Sequence, residues 1–440
     1  MSEHTDGAAR DDGPDRERLV YLLDDKALVG GATYALIVDF GTGALHRLNR
    51  PGFQVLELSR QGTSVEQAVQ QLNLDLGSTE SLLGQMQAQN LVSIEHAPRQ
   101  SVPAPAAPSP DLAFLWLEVV SQCNLRCLHC YAELPETHAR MPDTATLLRW
   151  IDQAADLNCK RIQFTGGECT VREDLMQLLA HARSRTFEVI EIFTNATFTD
   201  SSLIPFLADN GIRVAVSLYS YKASSHDLIT GVPGSYSRTI ENLKLLLAHD
   251  VPVRGSIIVL RENEDEADAT EVFLRELGVQ VGSPDPVRPC GRGRTTAHWP
   301  RRYGQRIVRT RPDFLPDREQ FVSNHHWNSC WFGKAAVSAE GDVFPCVFAR
   351  DLLAGNLHEQ SLERIVSGPL RTFWQLTRDQ IAVCRDCEYR YLCRDCRPWA
   401  LGYAGDLRAK TPTCTYDPYS GQWGPAEGAL RCDRAIQPVA

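Results

Sequence analysis

Apolar and polar positions divide the chain into three regimes. In the first, TYALIVD at 33–39 and ALHRL at 44–48 read as two strands joined by the turn Gly41-Thr42-Gly43. Thr63-Ser64 precede a helix reaching about Leu74. Ser78 to Gln89 forms another, with Thr79, Leu82, Leu83 and Met86 at spacings of three and four. LVSIEH closes the unit as a short strand ending at His96. Strands, helices and a final strand in this order suit a small winged-helix-like domain over 19–97. Residues 1–18 are polar and charged and read as a disordered tail. PRQSVPAPAAPSPD, at 98–111, has five prolines and no apolar period. It reads as an extended, semi-rigid linker that lets the units on either side be positioned separately.

From Ala113 the pattern changes. AFLWLEVV, RIQFTGG, VIEIFTN, RVAVSLY, VRGSIIVL and VQVGSPD alternate with helical stretches at 145–157, 172–184, 201–209, 237–249 and 266–277. Alternating strands and helices imply an α/β fold with a parallel sheet, and six such units predict a partial (β/α)6 barrel over 112–320. By analogy with closed barrels, chemistry is expected at the C-terminal ends of the strands. Residues 321–420 crowd cysteines, aromatics and turn residues together with little periodicity, as in segments that fold around metal. Residues 421–440 read as an irregular C-terminal tail.

Composition narrows the function classes. With 45 Lys+Arg against 55 Asp+Glu, the net charge is −10, which disfavours nucleic acid as a partner. No run of 18 apolar residues occurs, so no membrane span is expected. The start MSEHTDGAARDDGPDRERL lacks the apolar core of a secretory signal, so a cytoplasmic location is expected. Disulfides are rare in that reducing compartment, so the 14 cysteines point to metal or redox chemistry.

The first strand of the β/α series runs into CNLRCLHC, which places Cys123, Cys127 and Cys130 on one short loop. Thiolates are the usual ligands of iron–sulfur clusters, and three of them leave one iron of a cube open. Zinc, or buried cysteines following a strand, is the alternative. Later strands end in Thr165-Gly166-Gly167-Glu168-Cys169, in Thr194-Asn195-Ala196, and at Ser217 within VSLYSY. Glycines permit close backbone approach, and a carboxylate can hold an ammonium group.

This set resembles the radical S-adenosylmethionine (SAM) superfamily, over about residues 113–290. The resemblance implies that Cys123, Cys127 and Cys130 ligate a catalytic [4Fe-4S] cluster whose open iron is chelated by the methionyl group of SAM. It implies that Gly166, Gly167 and Glu168 hold the methionyl amine. His129 would lie near adenine, and Ser217 would contact the ribose, with Asn195 a further SAM contact. Cys169 stands where the family has proline. The chemistry implied is reductive cleavage of SAM to a 5′-deoxyadenosyl radical that abstracts a substrate hydrogen.

A second cysteine series follows: Cys330, Cys346, Cys384, Cys387, Cys393, Cys396 and Cys414. A zinc ribbon separates its CxxC pairs by some 15–20 residues, whereas here five separate Cys387 from Cys393. The series, with Gly341 ahead of Cys346, resembles the SPASM extension of radical SAM enzymes. That resemblance implies two auxiliary [4Fe-4S] clusters, one on Cys384, Cys387, Cys393 and Cys414, and another on Cys330, Cys346 and Cys396. The family's usual CX5CX3C ending is here CX5CX2C. A fourth ligand for the latter cluster is missing nearby: either Cys290, forty residues upstream of Cys330, reaches in, or an iron is open. Cys159 and Cys432 read as ordinary thiols.

Residues 19–97, with an aromatic–strand–LN–helix–Gly order, resemble the peptide-recognition domain of pyrroloquinoline quinone biosynthesis (PqqD-like). The alternative, a generic winged helix, more often binds DNA, which the acidic Glu57, Glu66, Asp75 and Glu80 disfavour. The three resemblances together imply a maturase of ribosomally made peptides, sactisynthase-like in layout. Its leader would be bound as an added strand, a thioether or carbon crosslink would be formed, and a flavodoxin or ferredoxin type protein would donate electrons. The alternatives are a small-molecule enzyme acting for example on a tetrapyrrole, a maturase of a folded enzyme, and a non-catalytic electron carrier or peptide-binding scaffold.

Overall fold

The computed structural model describes residues 17–96, 106–133, 140–394 and 396–426. Cys432, most of the charged start, the first part of the proline-rich stretch and most of 421–440 therefore lie outside the described residues.

The N-terminal unit contains β1 (Leu19–Leu22), β2 (Lys26–Gly30), β3 (Tyr34–Asp39) and β4 (Leu45–Asn49), then α1 (Arg50–Arg60), α2 (Val65–Leu72), α3 (Leu76–Ala88) and β5 (Val92–Glu95). Each helix starts on a side-chain cap. Asn49 accepts from Gly52, Ser64 forms a reciprocal capping box with Gln67, and Asp75 accepts from Ser78. The helix implied by the LN–helix–Gly order is α1. Strands β1 and β2 and the β1–β5 pairing were not legible from the pattern. Of these elements, β1 pairs antiparallel with β5, and β2, β3 and β4 make a separate antiparallel sheet. Arg18, placed in the tail by its polarity, is ordered: its guanidinium meets Glu66 and Glu80, each at 2.6 Å.

The central sheet is built from β6 (Phe114–Val120), β7 (Arg161–Gly166), β8 (Val189–Thr194), β9 (Arg213–Ser217), β10 (Val253–Ser256) and β12 (Gln280–Val281), parallel and in spatial order β12-β10-β9-β8-β7-β6. These are the six strands of the partial barrel. Between them run α4 (Thr144–Asp156), α5 (Leu175–Arg183), α6 (Leu203–Asp209), α7 (Ala223–Thr230), α8 (Ser235–Ala248) and α9 (Ala267–Glu276). VRGSIIVL and VQVGSPD each break in two. Their distal halves, β11 (Ile258–Val259) and β13 (Asp285–Pro286), pair in parallel with each other. The α5 helix begins later than 172 because Arg172 is engaged elsewhere, bonding the Val119 carbonyl at 2.9 Å and pairing with Asp174.

Strand alternation sorts the sheet's two faces. Ile162, Phe164, Ile190 and Ile192 are buried in the main core with Leu147, Ile151, Leu178 and Leu207 of the helices. Their neighbours Gln163, Thr165, Glu191 and Phe193 face the barrel interior and line a cavity.

The cysteine-rich segment is more regular than its pattern predicts. After the short helices α10 (Arg302–Arg306) and α11 (Arg318–His326), β14 (Lys334–Val337) runs parallel to β6, from Lys334 opposite Phe114 to Val337 opposite Leu117. Strands β15 (Asp342–Phe344) and β16 (Gly355–Asn356) extend the sheet to nine. Then come α12 (Leu362–Ser367), α13 (Pro369–Trp374) and α14 (Arg397–Ala404), followed by the hairpin β17 (Tyr416–Asp417) and β18 (Gln422–Trp423).

One expectation is corrected. The N-terminal unit is not positioned separately: its sheet is docked on the cysteine-rich segment. On β3, Ala35 and Ile37 face the helices, in a core with Leu56, Val69 and Leu83. Leu36 and Val38, on the opposite face, are buried with Phe321, Tyr389 and Tyr416. The polar edge of the contact is also joined. Ala32 donates to the Asp386 carbonyl at 2.8 Å, and Arg47 donates to the Tyr416 hydroxyl at 3.1 Å and the Gly421 carbonyl at 3.0 Å.

Candidate active site

The C-terminal ends of the parallel strands converge on the loop that follows β6. The glycine turn after β7 holds this loop by its backbone. Gly167 donates to the Val120 carbonyl at 2.8 Å, and Glu168 to the Gln122 carbonyl at 2.9 Å. A Cβ at Gly167 would stand 2.0 Å from the Gln122 oxygen. At Gly166, with φ of +131°, it would stand 2.2 Å from the Val120 oxygen. The glycines are thus required by contact with the cysteine loop. From the other side, Arg126 and Leu128 donate to the carbonyls of Thr230 and Ile229 at the end of α7.

Cys123, Cys127, Cys130, His129, Gly166, Gly167, Glu168, Asn195 and Ser217 all line one cavity of about 570 Å³ that runs along the barrel interior. The arrangement brings together every residue of the first motif and its companions. Burial pushes the Cys123 and Cys127 thiols up to about 12, and the negative charge of neighbouring groups adds to the effect. Thiolates buried there would need a cation among them, and three cysteines on one short loop fit an iron–sulfur cube. His129 is held neutral, its pKa lowered to about 3 by burial and then by Arg292 and His298. Its ring meets Tyr219 edge-on at 4.7 Å, and its Nδ1 is buried with no partner among the described residues.

Glu168 is almost completely buried, and burial raises its pKa against several opposing hydrogen bonds. Its Oε1 accepts from the Thr170 backbone, the Thr170 hydroxyl and the Thr194 hydroxyl. Among the described residues its Oε2 accepts one bond, from the Asn195 backbone at 2.7 Å. The crowded oxygen fixes the side chain, and the other retains capacity for a further donor. Asn195 is a brace: its amide donates to Asn124 on the cysteine loop at 2.8 Å, and its oxygen accepts from Thr197. Cys169 points away from the thiol trio, with its Sγ 3.6 Å from the Phe193 carbonyl in a buried setting.

Some residues escaped sequence reasoning. Tyr219 interacts with both Cys127 and Ser217 and packs on His129; it lies two residues beyond the end of β9 at Ser217, and that short spacing was the available signal. Glu118, buried on β6, accepts from the Tyr131 hydroxyl at 3.2 Å and pairs with Arg350. No local signal marks that triad, since its members are far apart in sequence.

The second cysteine series gathers at two places. At one, Cys384, Cys387, Cys393 and Cys414 are mutual electrostatic neighbours, directly or in a chain through Cys393. The guanidiniums of Arg378 and Arg309 reach the Cys393 sulfur at 3.2 and 3.3 Å. At the other, Cys346 has Cys330 and Cys396 as neighbours. Gly341, with φ of +85°, makes the β14–β15 turn ahead of Cys346. Cys159 is buried in the barrel core and donates to the Arg161 carbonyl at 3.3 Å, remote from all these groups.

Comparison with known proteins defines the class. Residues 117–274 match the Radical SAM superfamily, and residues 330–388 match an iron–sulfur cluster-binding domain. The fold is an α/β radical SAM fold with a C-terminal SPASM domain, the chain is an enzyme, and these domains imply [4Fe-4S] clusters and S-adenosylmethionine as cofactors.

Among individual proteins, the chain is similar to the AdoMet-dependent heme synthase of Methanosarcina barkeri, with 27% identity covering 68% of this chain and 95% of that protein. The subtilosin biosynthesis protein AlbA of Bacillus subtilis is 27% identical over 59% of this chain and 60% of its own length. The PqqA peptide cyclase of Gluconobacter oxydans is 25% identical over 71% of this chain and 92% of its own length. Among solved structures, Streptococcus suis SuiB bound to S-adenosylmethionine superposes with a TM-score of 0.54 at 15% identity, covering 89% of this chain and 98% of SuiB. No helix among the described residues is long and apolar enough to cross a membrane.

Proposed function

We propose that this enzyme modifies a ribosomally made precursor peptide, forming a thioether or carbon crosslink. The observation that carries the reading is the N-terminal sheet. Both of its faces are covered, one by α1–α3 and one by aromatics of the cysteine-rich segment. Among the described residues, its outer strands β2 and β4 each pair on one side only. Ladder groups left unpaired along a sheet edge suit an extended peptide, which gains affinity from main-chain bonds, although at the end of β2 the Gly30 carbonyl already accepts from Arg390. Similarity to AlbA and to a PqqA peptide cyclase points the same way.

In this reading Cys123, Cys127 and Cys130 hold the SAM-binding cluster, and Glu168 Oε2 accepts from the methionyl ammonium. When bound, cluster and SAM supply a carbon-centred radical able to remove a hydrogen atom. The chain's own residues do the rest. The glycine turn fixes the cysteine loop, Glu168 and Asn195 set the polar wall, neutral His129 and Tyr219 form the aromatic wall, and the barrel excludes water. Ser217 meets the ribose. Cys384, Cys387, Cys393 and Cys414 hold one auxiliary cluster, and Cys330, Cys346 and Cys396 contribute to another. A flavodoxin or ferredoxin type protein supplies electrons.

A second reading, a small-molecule enzyme, is favoured by similarity to the heme synthase, which extends over nearly that protein's whole length. One experiment separates them. The full chain is incubated with SAM, reductant and either the short peptide encoded beside its gene or an iron-containing tetrapyrrole precursor. The peptide should lose a pair of hydrogens by mass spectrometry, together with release of 5′-deoxyadenosine. Conversion of the tetrapyrrole, with the peptide unchanged, would replace the first reading by the second.

A further inference from the structure

We propose that Cys290 is the fourth protein ligand of the auxiliary iron–sulfur site that includes Cys330, Cys346 and Cys396, closing that site with thiolates from both domains. The inference rests on the reading of the cysteine-rich segment as cluster-binding, and it commits where spacing left a choice between this ligand and an open iron.

Cys290 lies just beyond β13, at the end of the last barrel strands, and is only 4% exposed. Its electrostatic neighbours include Cys396, and Cys346 counts Cys290 among its own neighbours together with Cys330 and Cys396. Cys346 and Cys396 thus connect Cys290 with Cys330 across forty residues of sequence. Arg288, two residues earlier, also engages Cys396, so the same turn touches the site twice.

The backbone explains why Cys290 is held there. Gly402, on the helix that follows Cys396, is pressed against Pro289: a Cβ on it would stand 2.5 Å from the proline ring and 2.6 Å from the Pro289 carbonyl oxygen. On the opposite side, Arg292 donates to the Cys130 carbonyl at 3.0 Å. Gly291, with φ of +52°, lies so close that a Cβ would meet the Cys130 and Tyr131 oxygens at 2.5 and 2.4 Å. The turn is therefore clamped between α14 and the loop carrying the first cysteine motif. Other described cysteines are committed elsewhere: three to the first motif, four to the second auxiliary group, and Cys159 and Cys169 to the barrel core.

Two consequences follow. A site with four thiolates has no open iron for a substrate thiol, so it acts in electron transfer rather than substrate binding. Cys290 also lines the central cavity with Cys123, Cys127 and Cys130, which sets this auxiliary site beside the radical chemistry.

The test uses the full chain with Cys123, Cys127 and Cys130 replaced by Ala, so that only auxiliary sites load; about 8 iron per chain are then expected. In this background the clusters should be indifferent to added cyanide by electron paramagnetic resonance. Cys290→Ala should make one of the two respond to cyanide, or lose its iron, while the other is unchanged. Cys290→Ser keeps the volume and should shift one spectrum without loss of iron, which guards against misfolding of the alanine variant. Cyanide binding before any change at position 290, with spectra unaffected by either substitution, would overturn the proposal. Loading of zinc, or no cluster at all, in the background protein would instead overturn the cluster-binding reading beneath it.

Discussion

Gly167 carries the tightest constraint at the residue scale. Its Cα lies where a methyl group would stand 2.0 Å from the Gln122 oxygen, immediately before Cys123. That oxygen belongs to a backbone already bonded to Glu168, so neither side can yield without moving the cysteine loop. Gly167→Ala should therefore displace the loop, at a cost of about 1–3 kcal/mol or more from overpacking. Iron bound by the first motif should fall sharply and 5′-deoxyadenosine release should be lost, with the auxiliary cluster spectra retained. Iron analysis and electron paramagnetic resonance of the anaerobically reconstituted variant check this. The same scale accounts for Arg378 and Arg309. Two guanidiniums on the Cys393 sulfur stabilise negative charge there, a recognised lever on cluster potential.

Asp39 at the end of β3 governs the N-terminal hairpin at the scale of elements. It accepts from the Gly41 and Thr42 backbones at 2.9 and 3.0 Å and pairs with Lys26 at 2.9 Å, with both side chains nearly fully buried. Burial acts to raise its pKa, but Lys26 and Thr42 outweigh it and hold the carboxyl well below its ordinary value. A carboxyl depressed on folding contributes stability above its unfolded pKa of about 3.9 and loses it as pH falls toward the folded value. Asp39→Asn should destabilise the unit by about 3–5 kcal/mol at neutral pH, since it leaves Lys26 buried beside only the more exposed Asp25. The gap between variant and parent should close as pH drops below about 3.9. Thermal melts across a pH series, followed by hydrogen exchange in β2–β4, check the sign.

At the same scale, the six parallel strands and most of their helices were legible because each strand's two-residue alternation and each helix's apolar stripe are local properties. Strand β14 was not. KAAV is four residues long and finds its place only by pairing with β6, more than two hundred residues earlier. The breaks dividing VRGSIIVL and VQVGSPD are likewise set by partner strands, not by their own composition.

For the whole molecule, the docking of the N-terminal sheet on the cysteine-rich segment changes what truncation should do. Arg47 is its polar hinge. It reaches the Tyr416 hydroxyl and the Gly421 carbonyl, lies 3.8 Å over the Tyr34 ring, and pairs at 3.4 Å with a fully buried Glu388. Its own side chain is about a third exposed, so solvent screens part of the pair. Arg47→Ala should cost about 1–3 kcal/mol, mainly by leaving buried acceptors unsatisfied. It should also raise hydrogen exchange in both β3 and the β17–β18 hairpin. Exchange rising in only one of the two would mean that the contact does not couple them.

The two cysteine sets and the β/α alternation were specified by sequence alone, because ligand spacing on a loop and side-chain period along a strand need no distant partner. Tertiary structure decided that the first cysteine motif and its companions line one cavity and that the N-terminal sheet packs against the cysteine-rich segment. These depend on contacts between residues far apart in the chain. Apolar faces such as Leu36 and Val38 register in the sequence only as buried, without saying against what; the fold supplies Phe321, Tyr389 and Tyr416 as the answer.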